Sequence, residues 1–159
     1  MAPHPSHLLI GVGNRLRGDD GAGYRLAELL AAEPHPTAAP WQVLAVQQLT
    51  PELAAAIAIA NAVLFVDAWH PNTPQPPRPV LELKDTPRQD HALHQRLSHQ
   101  CSPGQLLELS QALYGRRPPA WLLQLPVQQL GHGEALSPST AQAVAAGLRL
   151  VRQWRPSHA

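Results

Sequence analysis

The chain has 159 residues, which fits one domain, residues 1–159, folded around a single core. It carries 12 lysines and arginines against 11 aspartates and glutamates, and this balance argues against a general nucleic-acid binder, which would show a basic surplus. A single cysteine excludes a disulfide framework within the chain and a cysteine-rich zinc site.

The chain begins with a pattern of strand, helix and strand. The apolar run at residues 8–13, which contains two glycines, predicts a buried strand that enters a tight turn. Helical spacing of apolar residues follows from about Ala22, and Pro34 ends that helix. A second strand is predicted at residues 41–46.

A helix and a third strand come next. Thr50 as N-cap and Pro51 at the first helical position predict the start of the second helix. Residues 62–66 are apolar at every position, which is typical of a central strand covered on both faces. We expect this strand to stop at Asp67.

The second half of the chain repeats the alternation. Residues 70–79 contain five prolines and predict one long irregular loop, and residues 80–83 predict a short edge strand. A helix is expected from Pro103, ended by Gly115. A fifth strand is predicted at residues 121–125.

The last helix is predicted to have Ser137 as N-cap and Pro138 as its first residue, and to run to about Trp154. The whole pattern predicts an α/β three-layer sandwich, in which a mainly parallel, twisted sheet of about five strands has helices on both faces. In such sheets a site forms at the carboxyl ends of the strands. The residues after the first and third strands are therefore the candidates.

The sequence shows no sign of a membrane or an export route. It has no run of about 18 apolar residues, the length that spans a membrane as a helix. Met1 to His7 lacks the basic and apolar segments of a secretory signal. We therefore expect a cytoplasmic protein that contacts neither a membrane nor nucleic acid.

Gly11 and Gly13 resemble part of a dinucleotide-binding fingerprint. The third glycine of that fingerprint would fall at position 16, which is Leu16, and the carboxylates of Asp19 and Asp20 would repel a phosphate. A tight turn explains the two glycines more simply. Nucleotide binding stays an alternative, and a thermal-shift screen with nucleotides tests it.

Asp19, Asp20 and Asp67 are candidate site carboxylates. The first two lie at a predicted helix N-terminus, where an acidic residue stabilises the helix by up to about 1 kcal/mol. One carboxylate is enough for that role, so the other is free to bind a metal or transfer a proton. Asp67 either caps the turn that follows it or belongs to a site at the strand end.

His99 adds an imidazole to this set. A nucleophilic pair of His99 and Cys101 is disfavoured, because catalytic partners are set by space rather than by proximity in sequence. Two carboxylates and one imidazole suit Ni(II) or Zn(II) and leave positions open for water or substrate. From the residues alone the interpretation goes no further than an α/β protein that is a candidate for metal-assisted hydrolysis. No role is assigned to the histidines in polar or loop segments, His4, His35, His91, His94, His132 and His158.

Five short segments, several of which contain these residues, follow the order of one known family. The chain resembles the hydrogenase maturation endopeptidases, the nickel-dependent proteases that process the large subunits of NiFe hydrogenases. The matching segments are Gly11-Val-Gly-Asn14, Gly18-Asp-Asp-Gly-Ala-Gly23, Val66-Asp67-Ala68, Ser98-His99-Gln100 and Gly133-Glu-Ala-Leu-Ser-Pro138. Together they extend over nearly the whole chain.

The resemblance implies an endopeptidase that removes a C-terminal extension from a large-subunit precursor after nickel insertion. It implies Asp20, Asp67 and His99 as metal ligands and catalytic residues, with Asp20 in a position where the family often has glutamate. The nickel is borne by the precursor, so we expect no permanently bound metal. Asp19 and Asn14 are expected to shape the turn. The expected partner is the precursor, and the protein is expected to be a monomer.

Two further segments refine the resemblance. Residues 48–53 and 113–115 look most like the branch that serves bidirectional, NAD-reducing hydrogenases. Residues 47–50 depart from the glycine-rich segment that many members have after the second strand. The alternative function is a metal-binding or chaperone-like partner of the large subunit that does not cut, and a mass shift of the precursor distinguishes the two.

Overall fold

A computed structural model describes residues 7–33, 41–71, 76–78, 80–83, 101–128, 131 and 133–156. These residues form a five-stranded sheet in the order β2-β1-β3-β5-β4. The strands are β1 His7–Val12, β2 Trp41–Val46, β3 Ala62–Trp69, β4 Leu81–Glu82 and β5 Ala120–Pro126. Strands β1, β2, β3 and β5 run parallel to one another, and β4 pairs with β5 in the antiparallel direction.

The helices cover both faces of the sheet, so the predicted α/β sandwich is confirmed. They are α1 Ala22–Ala31, α2 Leu53–Ile59, α3 Pro103–Tyr114 and α4 Pro138–Gln153, and a short 3-10 helix, Gly18–Gly21, precedes α1. One core lies between the sheet and α1 and α4, and the other lies between the sheet and α2 and α3. No helix in the described residues is long and apolar enough to cross a membrane.

The central strand β3 joins the two cores. Leu64 and Val66 point into the core of α1 and α4, whereas Val63 and Phe65 point into the core of α2 and α3, and all four side chains are fully buried. Each such side chain contributes about 1.5–3 kcal/mol by leaving water. A run with no polar residue follows from burial on both faces.

The helix boundaries follow local chemistry at most ends. Ser102 and Gln105 form a reciprocal capping box at the start of α3, and Gly115 ends it in the left-handed conformation at φ 72°. Ser137 caps α4 by accepting a hydrogen bond from the amide of Thr140 at 3.4 Å. These predicted boundaries are confirmed.

Two predicted boundaries are wrong. The helix expected to begin at Pro51 begins at Leu53, because the carbonyls of Thr50 and Pro51 first accept hydrogen bonds in a separate turn, and Thr50 is not the N-cap. Strand β3 does not stop at Asp67. It continues to Trp69, because residues 67–69 pair with residues 124–126 of β5.

Helix α1 lies unusually close to the carboxyl ends of β1 and β3. A Cβ atom added to Gly23 would overlap the carbonyl oxygens of Val12 and Val66, so only glycine permits this approach. A Cβ atom on Gly11 would lie 2.6 Å from the Cβ of Ala27. The two glycines therefore fix the helix, and the turn before it, against the end of the sheet.

Candidate functional site

The candidate site lies at the carboxyl edge of the sheet, as the strand order requires. The chain leaves β1 through Gly13, whose amide donates to the carbonyl of Val46 at 3.0 Å, and then forms the turn that leads to Asp20. Asp67 lies on β3, the strand next to β1. The structure thus brings the two predicted carboxylates, Asp20 and Asp67, to neighbouring strand ends.

Asn14 organises the turn that carries Asp20. Its side-chain oxygen accepts from the amide of Leu16 at 3.0 Å, and its carbonyl accepts from the amide of Arg17 at 3.1 Å. Its own amide donates to Oδ2 of Asp20 at 3.1 Å. One residue therefore holds both the path of the turn and the orientation of the half-buried Asp20 carboxylate.

Asp19 and Asp20 have different environments although they are adjacent. The Asp19 side chain is 1 % exposed and accepts hydrogen bonds from the amide of Gln128 at 3.1 Å, and from the amide and the hydroxyl of Ser137, each at 2.7 Å. Asp19 thus ties the turn to the end of β5 and the start of α4. These bonds explain why a buried carboxylate is tolerated there.

The Asp67 carboxyl group lies at the solvent-facing end of the site. Its Oδ1 accepts from the amide of Ala68 at 2.7 Å. Although part of the residue faces solvent, the surrounding protein desolvates the carboxyl group and raises its pKa to about 6, and the charge of Asp20 also raises it, against the lowering effect of the Ala68 bond. At neutral pH the group is mainly ionised, which is the form that binds a cation.

The charge of Asp20 acts on the Asp67 carboxyl group, although burial raises the pKa of Asp67 more. Two like charges at one site oppose each other, and a cation or a proton between them relieves the repulsion. Asp20 is among the causes that raise the pKa of Asp67. The pair therefore forms an acidic site that favours a positively charged ligand.

His99, the predicted third ligand, lies outside the described residues. No group of three or more His, Cys, Asp or Glu side chains in the described part of the chain could hold a metal ion. The metal site of Asp20, Asp67 and His99 therefore stays a prediction. The described chain resumes at Cys101, whose amide donates to the carbonyl of Leu49 at 3.2 Å.

Cys101 lacks the environment of a nucleophile. Its side chain packs partly buried against the core of α2 and α3. Burial raises the pKa of the thiol, and the nearby charge of Glu52 raises it further. A reactive cysteine needs a lowered pKa. The raised pKa of Cys101 therefore agrees with the prediction that the protein is not a cysteine protease.

The glycines of β1 serve packing in this structure. A Cβ atom on Gly13 would overlap the carbonyl oxygen of Asp20, so the backbone of the turn folds directly onto the strand end. The space that a phosphate would use in a dinucleotide-binding turn holds the backbone of Asp20 instead. This arrangement favours the tight-turn explanation of Gly11 and Gly13.

A cleft of about 540 Å³ lies on the other side of the turn, between α1 and the start of α4. Arg15 contributes to its wall and forms ion pairs with Glu134 at 3.3 Å and with Glu28 at 3.9 Å. Neither Asp20 nor Asp67 lines it. This cleft is therefore separate from the carboxylate pair.

Sequence reasoning missed three residues beside Asp67. Gln124 is the partner of Asp67 in the register of β3 and β5, and Trp69 lies two residues after Asp67 on the same strand. Arg78 lies against both of them. The only available signal was the apolar alternation of β5, which Gln124 interrupts, and it gives no information on Arg78.

No protein-family model and no curated protein sequence matches this chain. Solved structures do match. A NiFe hydrogenase maturation protease HycI from Thermococcus kodakarensis KOD1 has 20 % identity and a TM-score of 0.69, and the match covers 94 % of this chain and 92 % of that one. The endopeptidase HycI from Escherichia coli has 22 % identity and a TM-score of 0.61, over 94 % and 90 %.

The hydrogenase maturating endopeptidase HybD from E. coli has 23 % identity and a TM-score of 0.59, with 91 % of this chain and 88 % of that chain covered. Agreement over nearly the full length of both chains shows a shared fold. The fold is thus that of the hydrogenase maturation proteases, as the resemblance in sequence predicts.

Proposed function

We propose that this protein is a hydrogenase maturation endopeptidase that removes the C-terminal extension of a NiFe hydrogenase large-subunit precursor after nickel insertion. The observation that carries the proposal is the pair of Asp20 and Asp67, two interacting carboxylates at the carboxyl edge of the sheet, in a fold shared with proteases of that name. The pair combines a cation-binding chemistry with a fold whose named members are hydrogenase maturation proteases.

Nickel in the precursor is the proposed ligand of the pair. Asp20, Asp67 and His99 would supply two carboxylates and one imidazole, a set that suits Ni(II) and leaves positions for the precursor's own ligands. The resemblance in sequence is what supports His99 as the third ligand.

The proposed reaction is hydrolysis of one peptide bond. A water oxygen attacks the scissile carbonyl carbon, the bond from carbon to nitrogen breaks, and the leaving amine takes up a proton. Nickel in the precursor would polarise the carbonyl or the water. An ionised Asp67 is suited either to bind the metal or to accept the proton of the water.

The nickel requirement makes cleavage conditional on a finished metal site. A precursor without nickel brings no cation to Asp20 and Asp67. The repulsion between the two carboxylates then stays uncompensated. The protease would therefore check nickel loading before it cuts. We further propose that it acts in the cytoplasm as a monomer, and that its substrate belongs to the bidirectional, NAD-reducing branch.

The decisive experiment mixes the purified protein with nickel-loaded and nickel-free precursor and follows the precursor by mass spectrometry. We expect the loaded precursor to lose its extension and the nickel-free precursor to keep it. Equal cleavage of both would refute nickel readout. Binding of the loaded precursor without any change of mass would instead support the non-proteolytic partner.

A further inference from the structure

Arg78 is a cation held in a fixed position beside the candidate site. Its guanidinium carbon lies 3.5 Å from the centre of the Trp69 ring. Its Nη1 donates to Oε1 of Gln124 at 3.1 Å, and its amide donates to the carbonyl of Gln124 at 3.1 Å. Side chain and backbone are thus both bound to β3 and β5, although Arg78 belongs to the proline-rich loop.

The register of the sheet places Arg78 on the face that carries Asp67. Asp67 and Gln124 are Cα partners on parallel strands, so their side chains point to the same face. Trp69 shares that face because it lies two residues beyond Asp67. Since Arg78 contacts both Gln124 and Trp69, its guanidinium group lies on the same face, one strand away from Asp67.

The Arg78 side chain is exposed, and most of its hydrogen-bond donors meet no acceptor in the part of the chain that the structure describes. A guanidinium group has five N–H donors, and among the described residues only one carbonyl-type oxygen, that of Gln124, accepts from it. No carboxylate of the described residues forms an ion pair with it. Stacking and hydrogen bonding already fix its orientation, so a ligand meets a preorganised fork of donors.

We propose that Arg78, held by Trp69 and Gln124, forms a subsite for a carboxylate side chain of the precursor, close to the bond that is cut. The proposal rests on the proposed function. A planar fork of donors matches a carboxylate better than any other peptide group. A substrate that presents a cation to Asp20 and Asp67 and a carboxylate to Arg78 would match the charges on both sides of the site.

The test measures cleavage of the nickel-loaded precursor by Arg78→Gln. We expect KM to rise about tenfold, with kcat within about twofold of wild type, because a contact made equally in ground and transition state affects binding alone. Arg78→Lys keeps the charge but loses the planar fork, and we expect it to recover only part of the loss. Arg25→Gln, on the exposed face of α1, is the matched control and should leave KM unchanged.

A second arm identifies the group that Arg78 binds. Each Asp or Glu around the cleavage point of the precursor is replaced by its amide, and one replacement should raise KM for the wild-type protease about as much as Arg78→Gln does. In the Arg78→Gln protease the same replacement should have no further effect, because the two changes remove one interaction. Fully additive effects for every carboxylate would contradict the subsite.

The outcomes separate the subsite from the proposed function. If wild type cleaves the precursor and Arg78→Gln has an unchanged KM, the subsite is wrong and the function stands. If wild type does not cleave, the function is wrong, and the dissociation constant of the precursor then tests the subsite: an equal constant for wild type and Arg78→Gln overturns it. Melting temperatures of all variants show whether the fold is intact.

Discussion

The two ends of the sheet are built from different kinds of interaction. At the amino end, Trp154 stacks on Trp41 at 5.9 Å and meets the ring of Trp121 edge-on at 5.2 Å, and His7 meets Trp41 at 5.3 Å. At the carboxyl end, carboxylates and backbone amides dominate. Aromatic contacts stabilise the fold without water or a ligand. Clustered carboxylates destabilise the fold by mutual repulsion, which a bound cation or proton relieves. The comparison predicts that substitutions among the aromatic rings change stability alone, whereas substitutions of Asp20 and Asp67 change cleavage.

The largest expected effect is on cleavage, from Asp67→Asn. We expect the rate for the nickel-loaded precursor to fall about 1,000-fold, since the amide removes one of the two negative charges of the proposed metal-binding pair. The melting temperature at pH 7 should stay the same or rise. The raised pKa means that ionised Asp67 costs stability above about pH 6, and the amide removes this cost. Glu108→Gln, an exposed change on α3, is the control.

At the opposite end, Trp121→Ala should act on stability alone. The side chain is 4 % exposed and packs on Trp154, so its loss should lower the free energy of unfolding by about 3 kcal/mol. Denaturant unfolding measures this change. Cleavage well below the melting temperature should keep its kcat, and a large loss of kcat would show that the two ends are coupled.

Asp19→Asn tests whether a carboxylate at the carboxyl end of the sheet can serve stability rather than cleavage. Asp19 lies next to Asp20, yet its hydrogen bonds to Gln128 and Ser137 are structural, and an amide would turn a donor toward the amides of these two residues. We expect a loss of about 2 kcal/mol in unfolding free energy. Ser137→Ala, which removes one of these bonds and also the N-cap of α4, should cost about as much. An unchanged stability with lost cleavage would instead give Asp19 a direct chemical role.

The smallest expected effect is the pH dependence. Protonation of Asp67 removes a charge from the site, and its pKa is about 6. We therefore expect kcat/KM for the loaded precursor to rise about tenfold from pH 5 to pH 7 and then to level off. The dependence around pH 6 should be absent from the residual activity of Asp67→Asn. A profile that is flat across this range in wild type would contradict the role of Asp67.

The sequence predicts the position of the candidate carboxylates better than that of the residues around them. The sequence could place Asp20 and Asp67 near one edge of the sheet because parallel strands end there, whereas the choice of Asp20 over Asp19 came from the family resemblance. The continuation of β3 through Trp69 could not be predicted, since pairing with β5 overrides the local signal of Asp67. Arg78 could not either, because its place depends on the path of a proline-rich loop and on the register of two distant strands.

The start of α2 is a second case in which local sequence does not predict the structure. Thr50 and Pro51 have the chemistry of a helix start, but the chain uses them for a separate turn before Leu53. The α3 and α4 starts agree with the sequence because Ser102 and Ser137 make their capping bonds directly to the next amides. Capping residues thus predict the start of a helix where their own side-chain hydrogen bonds determine it.

The missing side chain of Gly23 has a consequence beyond packing. Because α1 touches the carbonyls of Val12 and Val66, the distance from the turn to β3 is set by backbone atoms alone. This contact sets the separation of the two backbone segments that carry Asp20 and Asp67. Even the smallest enlargement, Gly23→Ala, would force α1 and the turn before it away from the ends of β1 and β3.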